Sequence, residues 1–224
     1  MNILRNITII ALSLLLVIAL GADRARAADE EDKTAVEEKA KKPLTPWGQS
    51  YQLEAEKKYE KAIKAIKPYL KIKDDIELAN MRVAWLEYLQ GNYNDAINGY
   101  EKALSINPKS IDAKLGLTLP LMAQKRYREV RSHLNKLLKT SPWNYAAHKR
   151  LLVIDEIQGK WKHMTKHAKA LSKRYPNDTT ALVYLARGYA WQDNKTMAIS
   201  SYTRVLLRIP GHLEALAYIN KHKE

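Results

Sequence analysis

Four prolines, Pro108, Pro142, Pro176 and Pro210, follow one another at intervals of 34 residues. A period of that length marks a supersecondary unit that cannot bury its apolar face alone and must stack on copies of itself. Other columns keep the same register. Ala79, Ala113, Ala147, Ala181 and Ala215 form one, and Ala62, Ala96, Val130, Met164 and Ala198 form a second. Tyr59, Tyr93, Tyr127 and Trp161 form a third, from which Lys195 departs. Columns of small residues permit close helix approach, and the aromatic column fills the space between paired helices. Chance does not align this many positions at one spacing, so the chain folds as an array.

Each unit reads as two helices. In the second unit, residues 78–89 have helical apolar spacing, Gly91-Asn92 interrupts it, and residues 93–105 resume it. Ile106-Asn107-Pro108 then stops the second helix, because the residue before proline is disfavoured in the α region. Gly159 and Pro176 play the same parts two units later. The frame divides the chain into residues 43–76, 77–110, 111–144, 145–178 and 179–212, with 213–224 left as a capping helix. Arrays need a polar end cap to cover the last apolar face. Pro120 falls inside the first helix of the third unit, where it removes one backbone hydrogen bond and predicts a kink.

With these features the chain resembles the tetratricopeptide-repeat family. In the second unit Gly91, Tyr93, Ala96, Tyr100, Ala103 and Pro108 stand at the family's signature positions, as do Ala181, Tyr189, Ala198, Tyr202 and Pro210 in the fifth. The third and fourth units match less well, with Val130 and Met164 replacing a small residue and Ala168 an aromatic one. The first lacks the terminal proline and has Asp74 there. The resemblance implies an all-α protein, a right-handed α-solenoid of five helix-turn-helix repeats with a C-terminal capping helix.

Ahead of the array, residues 7–20 are a charge-free apolar run, and Ala25-Arg26-Ala27 precedes Ala28. Together these predict a signal peptide over residues 1–27, cleaved near Ala27, and an exported, periplasmic protein. The run has 14 residues, fewer than the roughly 20 of a membrane span. The alternative is an uncleaved inner-membrane anchor. Residues 28–42 hold six acidic and four basic side chains and read as a solvated, disordered tether. The chain contains no cysteine, which excludes disulfides, thiolate metal sites and a lipid-anchor cysteine within this sequence and suits an oxidising compartment.

In the family, first helices of successive repeats line a concave groove. On that frame the lining comprises Trp47, Tyr51, Met81, Trp85, Tyr88, Leu119, Met122, Val153, Arg187 and Trp191, with Leu44, Leu78, Leu89, Leu115, Lys149, Ile157 and Val183 beside them. Trp, Tyr and Met are the side chains that anchor protein interfaces. Grooves that hold a terminal carboxylate would show clustered Lys, Arg and Asn, and here only Lys149 and Arg187 qualify. The expected ligand is therefore an apolar or amphipathic segment of a partner protein. The other reading of the same residues is that half of them pack neighbouring first helices together.

The net charge of +14 is unevenly spread. Residues 125–174 hold 14 basic and 3 acidic side chains. Lys162, Lys166, Lys169 and Lys173 recur at helical spacing along one second helix, and Arg126, Arg128, Arg131, Lys136 and Lys139 make the preceding one basic too. Second helices form the outer surface in this architecture, so the patch lies away from the groove. Anionic polysaccharide or lipid head groups are its candidate ligands, against the simpler reading of a solubilising face. Export and the absence of interleaved aromatics speak against nucleic acid.

Catalysis, cofactors and metals find no support. The sequence has no glycine-rich phosphate loop, no GxSxG and no HExxH. His163 and His167 stand at i, i+4 but lie beside Lys162 and Lys166, with no carboxylate at hand, and read as exposed polar residues. Asp155 and Glu156 are adjacent on a helix and point in different directions, so they are not an acid/base pair. The expectation is a non-catalytic scaffold or adaptor of cell-envelope assembly. The alternative is a binder of anionic polymer or membrane surface through the basic outer face.

Overall fold

The structure, a computed structural model, describes residues 43–222. The predicted signal peptide and acidic tether lie outside the described residues. The chain divides into two compact units, Met1–Gly48 and Gln49–Glu224. Only residues 43–48 of the first are described; the second is the helical array.

Among the described residues there are eleven α-helices, one short 3-10 helix and no strand. They run α1 (Pro46–Ala55), α2 (Tyr59–Ile66), a 3-10 turn (Lys67–Lys71), α3 (Ile76–Gln90), α4 (Tyr93–Ile106), α5 (Ile111–Ala123) and α6 (Tyr127–Thr140). Then follow α7 (Tyr145–Ile157), α8 (Trp161–Arg174), α9 (Thr179–Ala190), α10 (Lys195–Leu206) and α11 (Leu213–Lys221). Odd-numbered helices are the first of each pair and even-numbered ones the second, with α11 closing the array. None of the described helices is long and apolar enough to cross a membrane.

Two local devices repeat with the 34-residue period and explain where the helices begin and turn. Two residues after each period proline stands the N-cap of the next first helix. Ser110, Asn144, Asp178 and His212 accept hydrogen bonds from the backbone N–H of Ala113, Ala147, Ala181 and Ala215, at 3.3, 2.9, 3.2 and 3.3 Å. Each cap satisfies one of the orphan donors of a helix start. The alanine column thus marks the third helical position. The second device is the left-handed residue between the two helices of a pair: Lys57, Gly91, Lys125, Gly159 and Asp193, all with φ between 56 and 86°. Glycine takes this conformation without strain; lysine and aspartate do so at a cost of about 1 kcal/mol. The first boundary has neither the proline nor the polar cap. Asp74 occupies the proline column, Ile76 the cap column, and the second helix ends early in a 3-10 turn that carries Pro68.

Packing follows the columns. Ala79, Ala113, Ala147, Ala181 and Ala215 are fully buried, and so are Ala62, Ala96, Val130, Met164 and Ala198. Tyr59, Tyr93, Tyr127 and Trp161 are half-buried, and Lys195 is exposed. The largest core cluster runs from α3 to α7 through Leu117, Leu121, Leu134, Leu137, Leu151 and Ile154. Pro120 is buried within α5, which continues through it to Ala123.

Candidate protein-binding face

The first helices adjoin along one face, and charged side chains stitch them together. Arg82 of α3 donates to Ser50 Oγ of α1 at 3.0 Å, pairs with Glu54, and lies 4.0 Å over the ring of Tyr51. Trp85 Nε1 donates to the other oxygen of Glu54 at 2.7 Å, and its ring lies 5.6 Å from Tyr88. Arg150 of α7 reaches back to α5, donating to the Leu115 carbonyl and the Thr118 hydroxyl. Arg187 of α9 is held from both sides, by Glu156 of α7 at 2.9 Å and by both oxygens of Glu214 of α11 at 2.7 and 2.8 Å. The Tyr202 hydroxyl also donates to Glu214, at 2.6 Å. Burial works to raise the Glu214 carboxyl, but the Arg187 and Tyr202 hydrogen bonds hold it below the usual range.

Sequence reasoning missed most of this network. Glu54 and Glu156 stand at position 12 of their repeats, within the set that faces the groove, and Arg82 and Arg150 at position 6 of theirs. The signal was therefore present in the frame.

The predicted lining residues are placed as follows. Tyr51 and Trp191 are 56% and 65% exposed. Trp191 stacks on Trp161 with ring centroids 4.8 Å apart and borders a cavity of about 480 Å3 shared with Glu156, Arg187, Tyr202, Glu214 and Tyr218. Met81, Trp85, Tyr88, Leu119, Met122 and Val153 are half-buried, and Met81 and Met122 also pack against the core. Trp47 is half-buried on α1, within the first unit. Both expected cations have partners within the chain. Arg187 is neutralised by two carboxylates, and the Lys149 ammonium sits 5.3 Å over the Tyr145 ring. The face is thus largely apolar and aromatic, with Arg82 and Arg187 paired internally.

The second-helix face carries Arg128, Lys139, Lys162, Lys166, Lys169 and Lys173 exposed. Arg131 does not belong with them. It ion-pairs at 2.6 Å with Asp155, which is fully buried, so it serves the interior. Burial pushes the Asp155 carboxyl above its ordinary value, and Arg131 opposes that. Glu156 points instead to Arg187, so the adjacent carboxylates do diverge.

His167 is not the exposed residue that the lysine neighbours implied. It is half-buried, with its Nδ1 3.1 Å from Nδ1 of His148, whose Nε2 faces the Pro142 carbonyl at 2.9 Å. A carbonyl only accepts, so His148 donates through Nε2 and accepts through Nδ1 from His167. Burial, with His148, Lys166, Arg131 and His163 around it, lowers the His167 pKa from 6.5 to about 4. At His167 the unfolded chain then binds more protons than the folded one, so this residue's linkage costs nothing above pH 6.5 and lowers stability as the pH falls towards 4. Urea denaturation at pH 7 and pH 4.5 checks this: His167→Gln should reduce the acid loss by about 2 kcal/mol. Among the described residues no three His, Asp or Glu side chains are grouped to hold a metal ion.

Residues 87–152 match the family model of the tetratricopeptide repeat. The fold is shared with solved structures at low identity. YrrB, described as a tetratricopeptide-repeat protein with an unusual peptide-binding site, has a TM-score of 0.62 at 16% identity, over 84% of this chain and 97% of that one. MamA from Desulfovibrio magneticus RS-1 has a TM-score of 0.62 at 15% identity, over 73% and 93%. TTC0263, a thermophilic tetratricopeptide-repeat protein of Thermus thermophilus, has a TM-score of 0.53 at 17% identity, over 78% and 96%. No curated protein sequence matches the chain. Residues 87–152 thus carry tetratricopeptide repeats, and the chain shares the all-helical fold of the known solenoids. Proteins of this family are generally non-catalytic scaffolds for protein–protein interaction.

Proposed function

We propose that the chain is a non-catalytic periplasmic adaptor that holds an apolar or amphipathic segment of a partner protein along its first-helix face, in cell-envelope assembly. The observation that carries this is the pairing of Arg82 with Glu54 and of Arg187 with Glu156 and Glu214. Neutralising those charges internally leaves Tyr51, Trp85, Tyr88, Met122, Val153 and Trp191 to set the chemistry of the face. Exposed or half-exposed aromatics are the side chains whose burial gives interfaces most of their affinity. YrrB, with the same fold, is described as having a peptide-binding site, which supports a peptide ligand here. The periplasmic location rests on the apolar run 7–20 and the small residues near Ala27.

A second reading has its own support, since Lys162, Lys166, Lys169 and Lys173 are all exposed and none is ion-paired among the described residues. It makes the second-helix face a site for anionic polysaccharide or lipid head groups. Photocrosslinking in cells separates the two. A crosslinkable residue at Val153 should trap a discrete protein, while one at Lys166 should not; the reverse pattern refutes the adaptor reading.

A further inference from the structure

Three arginines extend across the first-helix face, and one of them lacks a counter-charge. Arg82 has Glu54, and Arg187 has Glu156 and Glu214. Arg150 has only neutral acceptors, the Leu115 carbonyl and the Thr118 hydroxyl, and no carboxylate lies within ion-pair reach of it among the described residues. It is half-buried, and burial works against its charge, with the phenols of Tyr100 and Tyr88 nearby.

The surroundings of this guanidinium are built by a substitution in the repeat frame. At position 6, where the second and fourth repeats have Arg82 and Arg150, the third has Gly116. A Cβ there would lie 2.2 Å from Tyr100 Cε1 and 2.5 Å from its Cζ. The missing side chain therefore lets the Tyr100 ring, rooted on α4, reach the turn of α5 that Arg150 contacts from α7. Tyr88 comes from α3. Side chains of three repeats meet at one place midway along the array.

The geometry points to an acidic side chain of the bound segment as the missing partner: Arg150, beside the half-buried Tyr88, forms a subsite for one Asp or Glu within an otherwise apolar peptide. This rests on the peptide-binding reading above. The acid is internal to the segment because the apolar lining continues on both sides, through Met81 and Trp85 one way and Val153 and Trp191 the other. A peptide ending at Arg150 would leave half of it uncovered. A guanidinium matches a carboxylate with two parallel hydrogen bonds, and such pairs are stronger than neutral ones.

Two random peptide libraries displayed against the full chain test it, one with the peptide flanked on both sides and one ending in a free C-terminus. The flanked library should yield peptides with a single Asp or Glu among apolar residues. Changing that acid to its amide should weaken binding at least about tenfold on the native chain and less than about twofold on Arg150→Met. Tyr88→Phe, which removes only a hydroxyl and should leave folding intact, should weaken the acidic peptide more than its amide. An acid-free apolar consensus whose affinity is unchanged by Arg150→Met would overturn the subsite and leave the adaptor reading standing. Enrichment only of free C-terminal carboxylates would overturn the internal acid. Enrichment of nothing from either library would overturn the peptide-binding reading itself.

Discussion

Arg131→Met is expected to destabilise the array by about 3–5 kcal/mol, although the residue lies on a helix that otherwise contributes a solvated basic face. The reason is Asp155, which is fully buried with Arg131 as its one ion-pair partner among the described residues, at 2.6 Å. Deleting the arginine leaves a carboxylate in the interior with no ion-pair partner among the described residues, and Lys160 and His163 act on it only at longer range. The side chain then responds by taking up a proton, so the variant should recover part of its loss as the pH falls. The sign follows from linkage: an acid whose folded pKa is raised binds more protons folded than unfolded, and stability declines as pH rises between the two values. Urea midpoints at pH 7 and pH 5 measure both effects. Arg128→Met and Lys166→Met, at exposed positions, should change stability by less than about 0.5 kcal/mol. The double variant Arg131→Met with Asp155→Leu should restore most of the loss, because an apolar pair of similar volume avoids desolvating two charges. A cost for Arg131→Met no larger than that of Arg128→Met would refute the buried pair.

Leu151→Ala is the second large effect, at about 2–5 kcal/mol. Leu151 is fully buried in the cluster that runs from α3 to α7, so the cavity would open between the third and fourth repeats. In an array each repeat touches only its neighbours, so a weakened central interface has no distant contacts to compensate it. Thermal and urea unfolding should register the loss. Leu213→Ala, at a position 82% exposed, is the matched control and should stay within about 0.5 kcal/mol. A loss under about 1 kcal/mol for Leu151→Ala would show that the site collapses around the deletion.

Much of the fold was legible because repetition amplifies weak local signals. One proline after a helix is ambiguous, but Pro108, Pro142, Pro176 and Pro210 in register fix the helix ends, and five alanines in register fix a buried column. The caps escaped notice because the period keeps a position and not a residue type: Ser110, Asn144, Asp178 and His212 share only an acceptor atom. The turns at Lys57, Lys125 and Asp193 were hidden for the same reason, since only Gly91 and Gly159 announce a left-handed residue.

The site was less legible than the fold. Its apolar members could be read from the frame, but whether a charge is free depends on a partner about one repeat away. Glu54 and Arg82 are separated by 28 residues, and Glu156 and Arg187 by 31. Such pairs leave no local periodicity, and they removed Arg187 from the free cations while drawing Arg131 into the interior. Arg150 is conspicuous only after the other arginines have been matched.

The claim that the first-helix face holds the partner is tested most directly by repeating the Val153 photocrosslink in two variant backgrounds, with the folded fraction checked by thermal melting. Trp85→Ala should reduce the adduct by at least about tenfold, the loss of an aromatic anchor worth about 2 kcal/mol. Lys166→Glu with Lys169→Glu should leave it within about twofold of the native yield. An adduct that survives Trp85→Ala and disappears on charge reversal would contradict the account and make the second-helix face the binding surface.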